Sequence, residues 1–229
     1  MSTRSETLRR ASRRTATSIF GMIAVAAIAW SQAASAAPKD KAGVVDAVSQ
    51  EQVGAAFSML GRTASGITTK VRTRVRPGRA HTLWYVIFNA PEHCSDAVCG
   101  QDDIFADPRN HAAGFNAAQI AATRASVVSG SAGAVSNGSG RLKLDGGLAV
   151  GEVPAGPKRV VIGRGADGAL VPLGVVTGLE DAARAVIIVV LQDHGRAHRD
   201  PALLQQQLTS FEGACNPVCA DAQFAVHAP

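Results

Sequence analysis

The most informative hydrophobic pattern covers residues 81–89, where apolar side chains fall on both faces of an alternating run. One face carries Leu83, Tyr85 and Ile87, and the other carries Trp84, Val86 and Phe88. A strand that is apolar on both faces is buried on both sides, so we expect it in the middle of a packed sheet. Asn89-Ala90-Pro91 ends the strand, because proline cannot continue a hydrogen-bonded ladder.

Two further runs have clear periodicity. Residues 182–191 end in an unbroken apolar stretch and predict a second fully buried strand, which Asp193-His194-Gly195 terminates. Residues 66–76 alternate threonine and apolar positions with lysine and arginine, which predicts a half-buried strand with a cationic outer face. That face is either a solvated or edge-protecting surface, or a ridge for anions or polysaccharides that would use Arg72 and Arg74.

Weaker patterns fill in the rest of the chain. They predict short strands at residues 43–48, 53–60, 125–129, 141–148, 159–163, 170–176 and 222–227. Residues 53–60 also fit a helical turn, residues 130–140 are typical of a hairpin loop, and residues 202–211 fit one helical turn followed by an extended arm. Residues 115–123 favour a short helix with Asn116 as its cap and Gln119 three residues on. Roughly eight strands with turn signals between them predict an all-β fold, an antiparallel β-sandwich or jelly roll.

The first 36 residues have the three parts of a secretory signal peptide. Five arginines precede an uncharged apolar run at residues 19–30, and Ala34-Ser35-Ala36 supplies the small residues of a cleavage site. The apolar run is shorter than the roughly 20 residues that a transmembrane helix needs. We therefore expect a secreted or periplasmic protein without a stable membrane anchor, exported by the general or the twin-arginine route. The predicted organisation is a cleaved segment at residues 1–36, a flexible lead-in at 37–55 and one domain at 56–229.

Removal of residues 1–36 changes the charge of the chain. Of 23 Lys+Arg and 18 Asp+Glu, the segment contains five arginines and Glu6, which leaves 18 − 17 = +1. A domain with so little net charge lacks the general basic character of nucleic-acid-binding proteins, so we expect no nucleic-acid partner.

The four cysteines form two close pairs, Cys94 with Cys99 and Cys215 with Cys219. Disulfides are the usual state of cysteines in exported proteins, and the short spacings favour pairing within each pair. A four-cysteine zinc site is the alternative, although neither spacing is the common C-x2-C.

Residues 80–229 contain the motifs W-Y-V-I-F-N-x-P, C-x4-C-G-x-D-D-I-F, D-H-G and C-N-P-x-C-A-D-x-Q-F-A-V-H. In these stretches the chain resembles a family of secreted bacterial proteins of uncharacterised function. The resemblance implies that the four cysteines belong to one framework. It assigns no activity and therefore no catalytic residue.

Metal binding is the most specific chemistry that the sequence offers. His93, Asp102 and Asp103 lie in the loop after the first buried strand, and His194 follows the second. If both loops meet at one end of the sandwich, these four residues could hold zinc or copper. Residues 101–107 also contain enough acidic oxygens for calcium, but they match no EF-hand loop.

The sequence contains no G-x-S-x-G nucleophile elbow, and oxidised cysteines are not nucleophiles, so an enzyme is the less favoured class. The favoured hypothesis is a non-catalytic binding or scaffold protein whose extracellular or envelope ligand is unknown. We expect this ligand to contact the loops that carry Asp102, Asp103 and His194. The alternatives are a metal-binding protein or metal-dependent enzyme, with the cofactor unknown among zinc, copper and calcium, and an anion- or polysaccharide-binding module.

Overall fold

A computed structural model describes residues 39–107, 115–153, 177–211 and 213–229. The predicted all-β fold with about eight antiparallel strands is confirmed within these residues. The strands are β1 (Lys39–Asp46), β2 (Gln52–Thr63), β3 (Gly66–Arg74), β4 (Arg79–Phe88), β5 (Ala125–Val135), β6 (Arg141–Ala149), β7 (Val186–Arg196) and β8 (Ala220–His227). Two helices, α1 (Ala117–Thr123) and α2 (Pro201–Thr209), accompany them.

All eight strands belong to one sheet, in the order β5-β4-β7-β8-β1-β2-β3-β6. Each neighbouring pair is antiparallel, and the two edge strands β5 and β6 also lie against each other, so the sheet nearly closes. Glycines allow this close approach: a Cβ added at Gly146 would lie 2.6 Å from the Gly130 carbonyl oxygen and 3.0 Å from the Tyr85 hydroxyl. The inner face thereby folds onto itself around a single main core.

Strands β4 and β7 form the centre of this core, as their patterns predict. Leu83, Tyr85 and Ile87 are fully buried on the inner face, opposite the equally apolar residues of β7. The outer face of β4 is also covered, since Phe211 packs edge-on against Trp84 with ring centroids 4.9 Å apart. Burial on both faces explains why this strand has no polar side.

The predicted local disulfides are confirmed, with Cys94 bonded to Cys99 and Cys215 to Cys219. Cys94–Cys99 lies in the loop after β4 and packs against the outer end of the sheet with Phe88. Cys215–Cys219 closes the loop that leads into β8. Disulfides are typical of a location outside the cytoplasm.

The observed elements differ from the sequence predictions at several boundaries. Residues 39–46 form a strand of the sheet rather than a flexible lead-in, and β2 begins at Gln52. Residues 130–135 continue β5 rather than forming a loop, and residues 193–195 continue β7 rather than ending it. The second helix spans nine residues rather than one turn. The Asn116 cap of α1 is confirmed, because its side chain accepts from the Gln119 N–H.

Some predictions lie outside the described residues: the signal peptide at 1–36 and the short strands at 159–163 and 170–176. Within the described residues, neither helix has the length and hydropathy needed to cross a membrane.

Candidate functional site

The four residues predicted to share a metal site do not come together. In the antiparallel β4–β7 pair, Phe88 lies opposite Val186 at one end and His81 lies opposite Asp193 at the other. Seven residues of strand span roughly 23 Å. His194 is therefore remote from the loop that follows β4, and the assumption that the two loops meet at one end is wrong.

Asp103 organises its own loop. Its side chain is fully buried, and its two carboxylate oxygens accept from the backbone N–H groups of Ser95 and Gly100 and from the Gln119 side chain, at 2.8–2.9 Å. These bonds hold the Cys94–Cys99 loop against α1. His93 is exposed, and Asp102 accepts from the Ser95 hydroxyl. The burial of Asp103 removes it from the predicted contact surface.

His194 is fully buried on the outer side of β7, between Thr82 and the Cys215–Cys219 loop. The Trp84 indole N–H donates to the Thr82 hydroxyl at 2.8 Å, and that hydroxyl lies 2.8 Å from His194 Nε2. His194 Nδ1 lies 3.3 Å from the Gly213 carbonyl oxygen and 3.2 Å from Cys219 Sγ. A carbonyl oxygen only accepts, so Nδ1 carries the ring proton and Nε2 accepts from Thr82.

The surroundings keep His194 neutral. The pKa of His194 is lowered from 6.5 to about 4, chiefly by burial and also by the nearby His81, while the Gly213 carbonyl and the Asp193 carboxylate act in the opposite direction. Asp193 is engaged elsewhere, since its Oδ2 accepts from Arg79 Nε at 2.6 Å and its Oδ1 accepts from the Gly195 N–H at 2.7 Å.

Among the described residues, two compact groups have the donor types of a metal site: His194 with Cys215 and Cys219, and Asp103 with Cys94 and Cys99. In each group the candidate ligand atoms lie within 4.8 Å of one another. The sulfurs are joined as disulfides, however, and thiolates are the form that binds zinc. In the oxidised protein neither group offers a thiolate ligand.

A serine–histidine–aspartate chain lies inside the sheet, which the sequence did not single out. His227 Nε2 lies 2.9 Å from the Ser58 hydroxyl, and His227 Nδ1 lies 2.6 Å from Asp40 Oδ2. Burial lowers the pKa of His227, against the opposing effect of Asp40. Ser58 and His227 are fully buried, so a substrate cannot reach the Ser58 hydroxyl. These three hydrogen-bonded side chains therefore have a structural role inside the sheet.

The outer face of β1, β2, β3 and β6 is strongly cationic. It carries the exposed or half-exposed side chains of Lys39, Lys41, Lys70, Arg72, Arg74, Arg141 and Lys143. Asp145 is the acidic residue on the same face, so the described side chains of this face sum to 7 − 1 = +6. Residues 37–229 sum to +1, so the remainder carries 1 − 6 = −5. We call this surface the cationic face.

The register places like charges directly opposite each other on the cationic face. Arg74 pairs with Arg141, and Arg72 pairs with Lys143. Asp145 relieves one of these pairs, because it binds Arg72 Nη2 at 3.0 and 3.2 Å. Like charges directly opposite in an antiparallel pair are destabilising. The face therefore carries an electrostatic cost that the fold does not require.

A cleft of about 400 Å³ opens on the cationic face. It lies where β2 and β3 diverge, since their ladder ends at the pair Phe57 and Arg72 although both strands continue. From inside, Gln223 takes the place of the missing ladder: it accepts from the Thr73 hydroxyl at 2.7 Å and donates to the Arg74 carbonyl at 2.8 Å. The cleft is lined by Val53, Gly54, Ala55, Ala56, Arg72, Thr73, Arg74, Arg141, Leu142 and Lys143.

The structure thus places both predicted anion-binding residues, Arg72 and Arg74, in one cleft. It adds Arg141 and Lys143 to the cleft, which the sequence analysis did not connect with Arg72 and Arg74. The sequence does indicate that Arg141 and Lys143 face outward, because Leu142 and Leu144 alternate with charged neighbours. It does not indicate that β6 pairs with β3.

Comparison of the chain with protein-family models, with curated proteins and with solved structures found no match.

Proposed function

We propose that this protein is an exported binding protein whose ligand is an acidic polysaccharide, held in the cleft of the cationic face. The observation that carries the proposal is the convergence of four cationic side chains on one cleft, Arg72, Arg74, Arg141 and Lys143. Carboxylate groups of a polysaccharide would accept charge-assisted hydrogen bonds from these side chains, and arginine can do so with two parallel bonds.

Protection of a sheet edge is the main competing explanation for the charges. It suits Arg141 and Lys143, because β6 is an edge strand and basic side chains discourage edge pairing. It does not suit Arg72 and Arg74, because β3 is paired on both sides, with β2 and β6. A strand with two partners needs no such protection, which supports a ligand for this face.

Two features favour a polysaccharide over a nucleic acid. The net positive charge lies on one face, and residues 37–229 sum to only +1, which gives weak long-range attraction to a highly charged duplex. The face also contains Phe57, with Lys41 Nζ 4.9 Å from the centroid of its ring. An aromatic ring among cations offers an apolar surface for sugar C–H groups beside the partners for carboxylates.

The test is calorimetric titration of the exported protein with polygalacturonate at low and high sodium chloride. We expect salt-sensitive binding, and we expect the double variant R74S/R141S to bind about 10-fold more weakly or worse. The matched control is R184S/R199S, which removes two exposed arginines elsewhere and should bind like the wild type. Neutral dextran should not bind.

Stability separates a ligand site from a structural role. Because Arg74 and Arg141 face each other as like charges, R74S/R141S should be at least as stable as the wild type in urea unfolding. Unchanged polygalacturonate binding by this variant would overturn the proposal. So would tighter salt-sensitive binding of duplex DNA or of anionic lipid vesicles, which would identify a different class of ligand.

A further inference from the structure

The two disulfides have different surroundings. Cys94 and Cys99 are 8% and 6% exposed and pack in an apolar cluster with Phe88. Cys215 and Cys219 are half-buried, in a loop where Cys219 Sγ lies 3.2 Å from His194 Nδ1. One disulfide is thus buried and packed mainly against apolar side chains, while the other is half-buried and has a histidine N–H at one of its sulfurs.

We propose that Cys215–Cys219 is a redox-active disulfide that oxidises dithiols by exchange, and that His194 stabilises the Cys219 thiolate as it leaves. The substrate class is a dithiol, either a small molecule or a pair of protein cysteines. This activity is independent of polysaccharide binding, because it uses β4, β7 and the loop before β8 rather than the cationic face.

The hydrogen-bond chain fixes the direction in which His194 donates. The Thr82 hydroxyl accepts from Trp84 and donates to Nε2, so the ring proton stays on Nδ1. There it is shared between the Gly213 carbonyl oxygen at 3.3 Å and Cys219 Sγ at 3.2 Å. A neutral disulfide sulfur is a weak acceptor. As the S–S bond breaks, negative charge develops on Cys219 Sγ and the same hydrogen bond strengthens. Such an interaction is stronger in the transition state than in the ground state, which is the requirement for catalysis.

The exchange balances in two steps. A thiolate of the dithiol attacks Cys215 Sγ and forms a mixed disulfide, and the electron pair of the S–S bond leaves on Cys219 Sγ. The second thiol of the substrate, after losing its proton, attacks the substrate sulfur of the mixed disulfide and releases the Cys215 thiolate. The dithiol loses two electrons and two protons and becomes a disulfide, while the two cysteines gain the electrons and take protons from solvent.

The first experiment uses the wild-type exported protein. It is incubated with dithiothreitol under native conditions, quenched with iodoacetamide at intervals, and mapped by peptide mass. We expect Cys215–Cys219 to be reduced at least about 10-fold faster than Cys94–Cys99, while the near-ultraviolet circular dichroism stays native. Loss of both disulfides at one common rate, or earlier loss of Cys94–Cys99, would overturn the proposal.

The second experiment measures each thiol alone. In C215S the remaining Cys219 should have a pKa below the ordinary value of about 8.5, measured from the pH dependence of its alkylation. In the matched control C219S, the remaining Cys215 is measured in the same way, and we expect its thiol to have the higher pKa of the two, because it is Cys219 Sγ that lies 3.2 Å from His194 Nδ1. A Cys219 pKa no lower than that of Cys215 would contradict the assigned role of His194.

Two substitutions of His194 separate its donor from its bulk. In H194N the side-chain amide can replace the Nδ1 donor, whereas in H194Q the amide oxygen can accept from Thr82 but the donor to Cys219 is lost. We expect H194Q to slow dithiothreitol oxidation about 10-fold and H194N to retain most of the rate. Equal rates in the two variants would mean that His194 acts only by filling space. If either variant fails to fold, the wild-type rates still decide the proposal.

Discussion

Acid should destabilise this protein through His194, and the size of the effect follows from the structure. His194 is fully buried, with its two ring nitrogens satisfied as a neutral imidazole by Thr82 and Gly213. A second proton on Nε2 would face the Thr82 hydroxyl, which at present donates to that nitrogen. Protonation therefore requires both a desolvated positive charge on the buried imidazole and a rearranged hydrogen bond to Thr82.

The magnitude comes from the two pKa values. The pKa of His194 is 6.5 in the absence of the fold and about 4 within it, a difference of 2.5. At about 1.36 kcal/mol per pKa unit, this corresponds to about 3 kcal/mol. Because the folded pKa is the lower one, the unfolded chain binds more protons between these values. The stabilisation is fully present above pH 6.5 and is lost as the pH falls toward 4.

Urea unfolding measures this contribution, with the fluorescence of the buried Trp84 as the signal. We expect the free energy of unfolding of the wild type to fall between about pH 7 and about pH 4, and the fall in H194N to be smaller by about 3 kcal/mol. The pKa values of His81 and His227 are also lowered by burial. Their own contributions are present in both proteins, so the difference between the two curves reports His194 together with its repulsion from His81.

Two results would refute this reasoning. Parallel curves for wild type and H194N from about pH 7 to about pH 4 would mean that His194 accepts a proton in the folded state without cost. A difference that changes above about pH 7 would mean that H194N alters packing in a pH-dependent way unrelated to the imidazole. The substitution itself should impose a constant cost in that upper range.

Three further substitutions test the fold. Gly195→Ala should destabilise by more than about 2 kcal/mol in urea unfolding, because φ is +84° and the added Cβ would lie 1.8 Å from the Asn216 carbonyl oxygen. Gly78→Ala is its control and should cost only about 1 kcal/mol, because φ is +68° there but nothing lies within 4 Å. Arg62→Met should lower the thermal midpoint and reduce the free energy of unfolding by about 2–4 kcal/mol, because the guanidinium donates to four backbone carbonyls. A reduction below about 1 kcal/mol would contradict this role of Arg62. Asp103→Ala should cost about 2–4 kcal/mol, because the partly buried N–H groups of Ser95 and Gly100 lose their acceptor. Faster reduction of Cys94–Cys99 in that variant would confirm that the loop has loosened.

The elements that the sequence predicted best are strands whose burial follows from the local pattern of apolar and polar side chains. Residues 83–88 have no polar face, and both faces of that strand are covered in the structure. The alternation at residues 66–76 likewise placed Val71 inside and Arg72 and Arg74 outside. Period-two patterns identify such strands because the pleat itself has that period.

The errors arose where a residue type has two physical uses. The glycine- and serine-rich residues 130–135 looked like a loop, but Gly130 lies in a strand because the opposite edge strand approaches its backbone at Gly146. Asp193-His194-Gly195 looked like a terminator, yet the strand continues through Gly195, which forms a bridge with Asn216. Composition alone cannot distinguish a glycine that ends a strand from one that permits a close contact.

The candidate sites depended on pairings between distant parts of the chain. Arg74 meets Arg141 only because β3 pairs with β6, and His194 meets Cys219 across 25 residues. The predicted metal site failed for the same reason, since the sequence did not show that β4 and β7 run in opposite directions. The relative direction of two strands decides which loops lie at the same end of the sheet, and the local sequence pattern does not indicate that direction.

The two proposed sites lie on different strands of the same sheet. The cationic face lies on β1, β2, β3 and β6, whereas His194 lies on β7 and its hydrogen-bond partner Thr82 lies on β4. β8 separates β7 from β1 in the strand order, and its inward Gln223 donates to the Arg74 carbonyl beside the cleft. The Cys215–Cys219 loop leads directly into β8. The two proposed sites thus adjoin the same strand, β8, while the side chains that would bind a polysaccharide are different from those around the disulfide.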